Sequence, residues 1–156
     1  MTDIIADADE AVNIQLRPVD RENWRKCVDL SVSGAQEHFV AENWYSLLEW
    51  KFGDDLFPYC IYAGEDMVGF LMYGLDTDTR RWGLWRFMID VNHQGKGYGN
   101  SALAQLIELV RDKLGDISFY TSVDPENEAA IRMYGNAGFE KTGELMWDEE
   151  AMKIEL

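Results

Sequence analysis

The sequence predicts an α/β fold built around one mixed sheet. Seven short segments have the apolar runs or two-residue alternation of strands, and about four segments have the apolar spacing of helices. The chain has 156 residues, of which 47% are hydrophobic, which is about one domain's worth and ample for a packed core. We therefore expect a single domain over residues 13–156, preceded by a loose acidic tail over residues 1–12.

The first half of the predicted domain contains one strand, two short helices and a hairpin. The stretch NIQLRPV, from Asn13 to Val19, alternates and predicts a strand. Residues 21–50 have a helical pattern that Ser33 and Gly34 interrupt, which predicts two short helices. After the polar connection FGDDLFP, the stretch YCIYAGEDMVGFLMYGL predicts two strands joined by a tight turn at residues 64–66.

The second half of the chain predicts a further hairpin loop, DTDTRR, and then a long apolar strand, WGLWRFMIDV. A glycine-rich loop follows, and a helix is expected over residues 100–113 because its apolar residues recur on one face. ISFYTSV predicts a buried strand. Asp124 and Pro125 are expected to cap and begin the next helix, which should end near Gly138. FEKTGE and AMKIEL predict two closing strands.

The charge of the chain is strongly acidic and unevenly distributed. There are 29 acidic residues against 14 Lys and Arg, a net charge of −15. Residues 1–79 carry 16 acids and 5 bases, whereas residues 80–156 carry 13 acids and 9 bases. This composition disfavours nucleic acid as a partner, because phosphate contacts need clustered Lys and Arg. It suits either general solubility or a cationic ligand bound by the first half.

Several other function classes are disfavoured by the sequence. Cys27 and Cys60 lack metal-type spacing and are expected to be buried thiols in a reducing cytoplasm rather than a disulfide. His38 and His93 are isolated, so we expect no metal site. No apolar run reaches the roughly 18 residues that a membrane helix needs, and the acidic start lacks the basic region of a signal peptide.

The most informative segment is the glycine loop HQGKGYGN between the long apolar strand and a helix N-terminus. Unpaired helix amides and the helix dipole favour an anion there, and glycines allow the backbone to approach it closely. The P-loop pattern is absent. GYGNSA matches the looser dinucleotide fingerprint, but that motif should open the first strand–helix unit of a fold, and here roughly sixty percent of the chain precedes it.

Two motifs together resemble those of the GNAT family of acetyl-CoA-dependent N-acetyltransferases. The loop fits Q-x-x-G-x-G with Gln94, Gly97 and Gly99, directly after a strand ending FMIDV. Downstream, NEAAIRMYGNAGFEKTGE resembles the family's second signature, an Asn, a Tyr seven residues later and a G-F-x-x-x-G ending. The resemblance implies a mixed, mostly antiparallel sheet of six to seven strands with about four helices and a V-shaped opening between strands four and five.

The resemblance also implies the site for acetyl-CoA, the expected co-substrate. Amides of the loop would hold its diphosphate, with Lys96 assisting, and amides at the end of the fourth strand would hold its arm and face the thioester carbonyl. Asn127 and Tyr134 lie seven residues apart, about two helical turns, so they share a face beside that arm. The cofactor-binding residues expected are Met88, Ile89, Asp90, Val91, Gln94, Gly95, Lys96, Gly97, Tyr98, Gly99, Asn100, Asn127, Ala130 and Met133.

The resemblance gives Tyr134 the role of general acid that protonates the departing thiolate. The base is not assignable, because the strand-four positions that are acidic in some relatives are Trp85 and Arg86 here. Arg86 is expected to brace a carboxylate such as Asp90 or Glu149. The cluster of Trp44, Tyr45 and Trp50 is typical of core residues, although Trp44 also suits a substrate wall. The expected substrate-binding residues are Glu37, Glu49, Asp54, Asp55 and Trp44.

Within the family, the stretches RFMIDVNHQGKGYG, QEHFVAENWYSLLEW and GELMWDEE look most similar to bacterial spermine/spermidine acetyltransferases. This similarity implies transfer of acetyl to a primary amine of a polyamine, by direct attack in a ternary complex, in a cytoplasmic homodimer. Two alternatives stay open, namely an acetyltransferase for an aminoglycoside or another cationic small molecule, and a non-catalytic coenzyme A-binding domain.

Overall fold

The computed structural model describes residues 13–156, so the predicted acidic tail over residues 1–12 lies outside the described residues. This part of the chain forms seven strands, four α-helices and two short 3₁₀ helices. The strands are β1 Ile14–Pro18, β2 Leu56–Ala63, β3 Asp66–Asp76, β4 Arg81–Ile89, β5 Ser118–Val123, β6 Glu140–Met146 and β7 Glu149–Glu155. The α-helices are α1 Trp24–Asp29, α2 Asn43–Phe52, α3 Tyr98–Leu114 and α4 Glu128–Ala137, and the 3₁₀ helices are Gly34–Phe39 and Val91–His93.

The seven strands form one sheet in the order β1-β2-β3-β4-β5-β7-β6. Every neighbouring pair is antiparallel except β4 and β5, which are parallel. The predicted mixed, mostly antiparallel sheet is therefore confirmed. The placement of β7 between β5 and β6 has no signal in the sequence, because strand propensity does not specify the pairing partner.

The sheet opens between its two parallel strands, as predicted. Within residues 13–156, pairing joins only Trp82–Leu84 of β4 to Phe119–Thr121 of β5, so no strand of this range lies beside β4 beyond Leu84 on that edge. On its other edge, β4 carries a bulge at Trp85, because Leu84 pairs with Tyr73 whereas Arg86 pairs with Met72. A bulge bends its strand and redirects the following side chains, which is why bulges are common beside functional sites.

Two hydrophobic cores cover the two faces of the sheet. The predicted apolar face of α3 packs on one side with α4, where Ala102, Leu103, Leu106, Ile107 and Val110 are buried. On the other side, α1 contributes Cys27 to a smaller core that includes Cys60 of β2 and Met88 of β4. Both thiols are fully buried and free, as predicted. No helix of residues 13–156 is long and apolar enough to cross a membrane.

Three local predictions were wrong. The connection expected before β2 is shorter, since the strand already begins at Leu56. The helix α4 is capped by Asn127, not by Asp124, because the Asp124 carboxylate accepts from the Glu126 amide and forms a separate turn ahead of the helix. The aromatic residues of α2 are not core residues, because Trp44, Tyr45 and Trp50 are all exposed. The predicted helix stop is confirmed, with Gly138 at a φ of +109°.

Candidate active site

The glycine loop forms an uncapped helix entrance. Gly95 and Gly97 have φ angles of +77° and +80°, a region that side chains other than glycine rarely occupy. Gly97 is the N-cap of α3, and within the described chain no side chain caps this end. The first amides of α3, at Tyr98, Gly99 and Asn100, are therefore left for a ligand. Together with the helix dipole they form a site suited to a phosphate group.

Gln94 holds this loop in place rather than facing the ligand with its side chain. Its Nε2 donates to the Ile89 carbonyl at 2.9 Å and to Oε1 of Gln36 at 2.9 Å. Gln36 lies in the first 3₁₀ helix, so one amide joins the loop, the end of β4 and that helix. Any contact between Gln94 and a ligand would therefore involve its backbone.

The end of β4 offers fewer amides than the sequence suggested. The Asp90 amide donates to the Val68 carbonyl at 2.8 Å and the Val91 amide donates to the Ser31 carbonyl at 2.8 Å. Both are consumed within the protein, so their predicted contact with a cofactor arm is wrong. Because backbone groups alternate along a strand, the groups of Ile89 point to the opposite edge, which faces the opening beside β5.

The Asp90 carboxylate is held by hydrogen bonds within the protein. This carboxylate accepts from the amides of Ser31 at 3.0 Å and Asn92 at 3.2 Å, and it contacts Nδ1 of His93 at 3.2 Å. Burial raises the pKa of Asp90, but these hydrogen bonds outweigh burial, and the net pKa is lowered. The Met88 side chain is buried in the smaller core, and the residue also lines the cleft beside the glycine loop.

Two connected clefts run from the loop to the opening between β4 and β5. One, of about 370 Å³, is lined by the glycine loop, and the other, of about 810 Å³, lies over the opening. Both clefts are lined by Phe39, Val40, Phe87, Asn127, Ala130 and Met133. Their shared wall joins the two clefts into one channel, with the glycine loop at one end and the opening between β4 and β5 at the other.

The channel passes the N-terminus of α4 before it reaches Tyr134. Oδ1 of Asn127 accepts from the Ala130 amide at 3.3 Å, which caps the helix, and Asn127 lines both clefts. Gly99 permits α3 to approach α4, since a Cβ there would lie 3.2 Å from Sδ of Met133. The loop, Asn127 and Met133 are thus held together by the packing of two helices.

Tyr134 is a buried phenol at the wall of the larger cleft. The pKa of Tyr134 is raised to about 12: burial is the largest cause, a hydrogen bond with Thr121 lowers the pKa, and the charge of Glu149 raises it. The phenol therefore stays protonated at neutral pH, which is the state required of a proton donor.

The larger cleft, which we call the acidic chamber, is rich in carboxylates. Its lining includes five acidic side chains, from Glu49, Asp54, Asp76, Asp124 and Glu149. The basic side chains lining it are His38 and Arg86. Arg86 donates from one terminal nitrogen to Oε1 of Glu49 at 2.6 Å and from the other to the Trp85 carbonyl at 2.8 Å. Its predicted partners, Asp90 and Glu149, are therefore wrong, although a carboxylate is indeed braced.

The predicted substrate residues divide into two groups. Glu49 and Asp54 line the cleft, whereas Glu37, Trp44 and Asp55 lie outside its lining. Trp44 is 48% exposed on α2, and its indole nitrogen contacts Glu42 in the preceding turn. Glu37, Trp44 and Asp55 were predicted as substrate-binding residues, and their positions outside the lining of both clefts do not support that prediction. Asp76, Asp124 and Glu149 were missed as cleft residues because the strand and loop ends that carry them meet only in the folded sheet.

Two tryptophans form an aromatic wall that the sequence did not reveal. The Trp85 indole donates to the Gly74 carbonyl at 3.0 Å and lies over Gly83, where a Cβ would come within 2.4 Å of the ring. Its ring centroid lies 5.2 Å from that of Trp147, edge to face. Trp147 and Asp148 form the β6–β7 turn with φ of +53° and +64°. That turn normally carries Asn-Gly, so this sequence contains no signal for it.

The described part of the chain contains no cluster of potential metal ligands. Among residues 13–156, no group of three or more His, Cys, Asp or Glu side chains is arranged to hold a metal ion. The arrangement therefore consists of an anion-binding helix entrance, a channel, a protonated phenol and an acidic chamber. It can hold a polyanionic donor at one end and a cationic acceptor at the other.

Comparison with known proteins identifies a matching family and similar chains. Residues 21–139 match the model of the acetyltransferase (GNAT) family. The spermine/spermidine N(1)-acetyltransferase of Bacillus subtilis strain 168 is 32% identical over 149 residues, covering 92% of this chain and 98% of the relative. A probable spermine N(1)-acetyltransferase of Bacillus subtilis subsp. natto matches to the same extent.

Solved structures share the fold at lower sequence identity. Spermidine N-acetyltransferase from Vibrio cholerae, in complex with CoA and spermine, has a TM-score of 0.73 at 19% identity, covering 91% of this chain and 95% of that one. The aminoglycoside acetyltransferase AAC(6')-Ib, in complex with coenzyme A, has a TM-score of 0.74 at 18% identity, covering 91% and 94%. At these identities the likeness concerns the fold alone.

Proposed function

The chain belongs to the acetyltransferase (GNAT) family, and from that premise we propose that it transfers the acetyl group of acetyl-CoA to a primary amine of a polyamine such as spermidine or spermine. One observation carries the choice of substrate. The chamber beyond Tyr134 is lined by five carboxylates, and it is continuous with the anion-binding helix entrance. Relatives of 32% identity over nearly their whole length are named for polyamine acetylation, which supports the same choice.

The residues of the channel fit coenzyme A. The uncapped amides of α3 suit its diphosphate, and Lys96 on the exposed loop adds a positive charge. The amide of Ile89 and the side chain of Asn127 suit the polar groups of its arm. In this proposal the co-substrate is held by Met88, Ile89, Gly95, Gly97, Tyr98, Gly99, Asn100, Asn127, Ala130 and Met133, together with the backbone of Gln94, all of which line the smaller cleft. Lys96 lies outside that lining and would act through its charge.

This local design resolves an electrostatic conflict. A net charge of −15 opposes binding of a polyanion. Oriented amides at a helix N-terminus act at contact distance, whereas most of the acidic side chains lie further away and are screened by salt. The loop therefore binds the anion where the repulsion is weakest relative to the local attraction.

The chamber suits a linear polycation. Glu49 is held by Arg86, so it offers one fixed carboxylate oxygen, and Asp54 is exposed on the loop that follows α2. The Trp85–Trp147 wall offers an aromatic surface that can contact methylene groups or an ammonium group. Acetylation removes one positive charge from the acceptor, and this should weaken its attraction to the carboxylates and favour product release.

Catalysis in this proposal proceeds by direct attack of the neutral amine on the thioester. Holding the two substrates in one channel supplies proximity. The amide of Ile89 at the open edge of β4 is placed to donate to the carbonyl oxygen as negative charge develops. Tyr134, which keeps its proton at neutral pH, donates it to the departing sulfur.

An amine panel tests the function. Release of thiol from acetyl-CoA would be followed with spermidine, spermine, putrescine and kanamycin, and the products identified by mass. We expect turnover with the polyamines at kcat/KM at least tenfold above kanamycin. Preferred turnover of kanamycin would support the aminoglycoside alternative, and tight acetyl-CoA binding without turnover of any amine would support a non-catalytic domain.

Charge variants connect the panel to the chamber. Asp54→Asn should raise the KM for spermidine several-fold while leaving the KM for acetyl-CoA unchanged. Asp116→Asn is the matched control, because Asp116 is an exposed acid outside the cleft. Equal effects of the two substitutions would argue that general charge, and not the chamber, attracts the amine.

We also propose that the chain acts as a cytoplasmic homodimer. The two buried free thiols suit a reducing compartment. On α2, Trp44, Leu48 and Phe52 recur at a spacing of four residues and are exposed, which suits a surface covered in an assembly. Light scattering at several concentrations would give the mass, and a monomer at all of them would contradict the dimer.

A further inference from the structure

The base that removes the proton from the incoming amine is the missing part of the mechanism. An aliphatic ammonium group has no lone pair, so it must lose a proton before it can attack a thioester. Strand β4 carries Trp85 and Arg86 beside the opening and contains no acidic residue, so the base must come from another element. The acidic side chains of the larger cleft are the available candidates.

Four of these carboxylates are less suited to act as the base because of their surroundings. Glu49 is paired with Arg86 at 2.6 Å, which holds its charge in an ion pair. The Asp76 carboxylate accepts from both the amide and the hydroxyl of Thr79 in the β3–β4 turn. Asp124 accepts from the Glu126 amide, and Asp54 is exposed on a loop, where its charge can attract a cation but its carboxylate is fully solvated.

Glu149 differs from these four. It is half-buried at the first position of β7, beside the C-terminal end of β5. One of its oxygens, Oε1, accepts from the Ser122 hydroxyl at 2.9 Å, and this bond orients the carboxylate in the cleft. The preceding residue of β5, Thr121, donates to the Leu84 carbonyl at the point where β4 and β5 separate.

Glu149 is also close to the proton donor. Its negative charge contributes to the raised pKa of Tyr134, and both side chains line the same cleft. Two basic side chains also line this cleft. They are the guanidinium of Arg86, which pairs with Glu49, and the imidazole of His38 on the first 3₁₀ helix. A carboxylate and a protonated phenol beside one opening form an acid–base pair with separate tasks.

We infer that Glu149 is the general base that accepts the proton from the attacking ammonium group. The inference rests on the proposed acetylation of an amine, whichever amine is the substrate. The ammonium proton moves to the Glu149 carboxylate, the nitrogen lone pair forms a bond to the acetyl carbon, and the carbon–sulfur bond breaks. The sulfur takes the proton of Tyr134, and the nitrogen's second proton restores the phenol. The proton on Glu149 then leaves to solvent, which balances the reaction.

The test is the pH dependence of kcat for Glu149→Gln at saturating amine. We expect kcat at pH 7 to fall by at least ~100-fold, a usual contribution of a general base. Because the variant depends on amine that is already neutral, its kcat should rise about tenfold per pH unit below the amine's pKa. The wild type should instead reach a plateau near neutral pH.

Asp148→Asn is the matched control. It removes the same charge one residue away, in the turn, where Asn tolerates the positive φ of this position. We expect wild-type kcat and a wild-type pH profile. Acetyl-CoA affinity, measured by calorimetry, should be unchanged in both variants, and Glu149→Asp should regain part of the activity together with the plateau.

Three results would overturn the inference. They are a kcat of Glu149→Gln within threefold of wild type at pH 7, a loss that does not change with pH, and a rise in the KM of the amine alone. The amine is the best substrate of the panel. If no polyamine reacts but another amine does, the polyamine proposal fails while Glu149 is still tested, and if no amine reacts, both fail.

Discussion

Tyr134 illustrates how burial gives a single residue its chemistry. The phenol is buried among Phe139 and the wall of the cleft, and burial is the largest cause of its raised pKa. An acid with a pKa of about 12 is a weak donor in water, but it is never lost to ionisation at neutral pH. Arg86 shows the same dependence on surroundings, because its guanidinium would repel a polycation unless Glu49 neutralised it.

Tyr134→Phe tests the residue as proton donor. We expect kcat to fall by at least ~100-fold, because the thiolate would have to leave unprotonated or wait for water. The affinity for acetyl-CoA should be unchanged, since the ring still fills the same space. Because the folded pKa lies above the ordinary value of a Tyr, the phenol stays neutral to about pH 10, and wild-type kcat should show no alkaline decline from Tyr134 below that pH. Equal turnover in the variant would remove Tyr134 from the mechanism.

At the scale of the element, the glycine loop and β4 form the two ends of the channel. The loop places an uncapped helix end at one end of the channel, and the Trp85 bulge with the short β4–β5 pairing opens the other end. Both features reduce local stability, since one leaves helix amides without partners and the other leaves a strand edge unpaired. Such local violations are expected where a protein binds ligands.

Gly97→Ala tests the loop. The new Cβ meets nothing within 4 Å, so its effect comes from the φ of +80°, which costs about 1 kcal/mol or more for a residue with a side chain. The loop should relax from this conformation, and the dissociation constant of acetyl-CoA, measured by calorimetry, should rise about tenfold.

Gly135→Ala is the control for this loop substitution. Gly135 also has open space around it, but it lies inside α4, where Ala should raise the free energy of unfolding by about 0.5–1 kcal/mol. Acetyl-CoA affinity should not change. If Gly97→Ala binds acetyl-CoA as tightly as the wild type, the loop does not hold the diphosphate.

At the scale of the whole molecule, the proposed function places the anionic and the cationic substrate at opposite ends of one channel. The carboxylates of the chamber come from α2, the β3–β4 turn, the end of β5 and the start of β7, which the sheet brings to one side. The anion-binding end depends instead on backbone amides. Substrate attraction in the chamber is long-range and screened by salt, whereas the amides act through short hydrogen bonds.

Ionic strength separates these two kinds of binding. Raising NaCl from 0.05 to 0.5 M should increase the KM for spermine several-fold, and less for putrescine, which carries fewer charges, because the Debye length falls from about 14 Å to about 4 Å. The KM for acetyl-CoA should not increase in parallel, since salt also screens the repulsion from the net negative chain. Initial rates at fixed pH would measure both, and parallel increases would contradict the division.

The features that were predicted correctly depend on neighbours within a few residues. The buried face of α3 follows from apolar residues three and four apart, and the stop at Gly138 follows from one glycine at positive φ. The loop glycines are of the same kind, as Gly95 and Gly97 adopt the conformations that only glycine adopts readily. The spacing of Asn127 and Tyr134 needed no more than helix geometry.

The features that were wrong or missed depend on residues far apart in sequence. The partner of Arg86 is Glu49, 37 positions away, and the orientation of Glu149 depends on Ser122, 27 positions away. The amides of Asp90 and Val91 are consumed by Val68 and Ser31, which no local pattern relates to them.

The sequence by itself determined the kinds of element, the glycine-rich entrance of α3 and the spacing of Asn127 and Tyr134. Only the tertiary structure decided which carboxylates share the chamber, which amides remain free and that β7 lies between β5 and β6. The physical reason is the separation in sequence of the residues that determine each feature. Backbone conformation responds to side chains within about one turn, whereas the composition of a cleft depends on the register and order of strands, which are set by packing over the whole sheet.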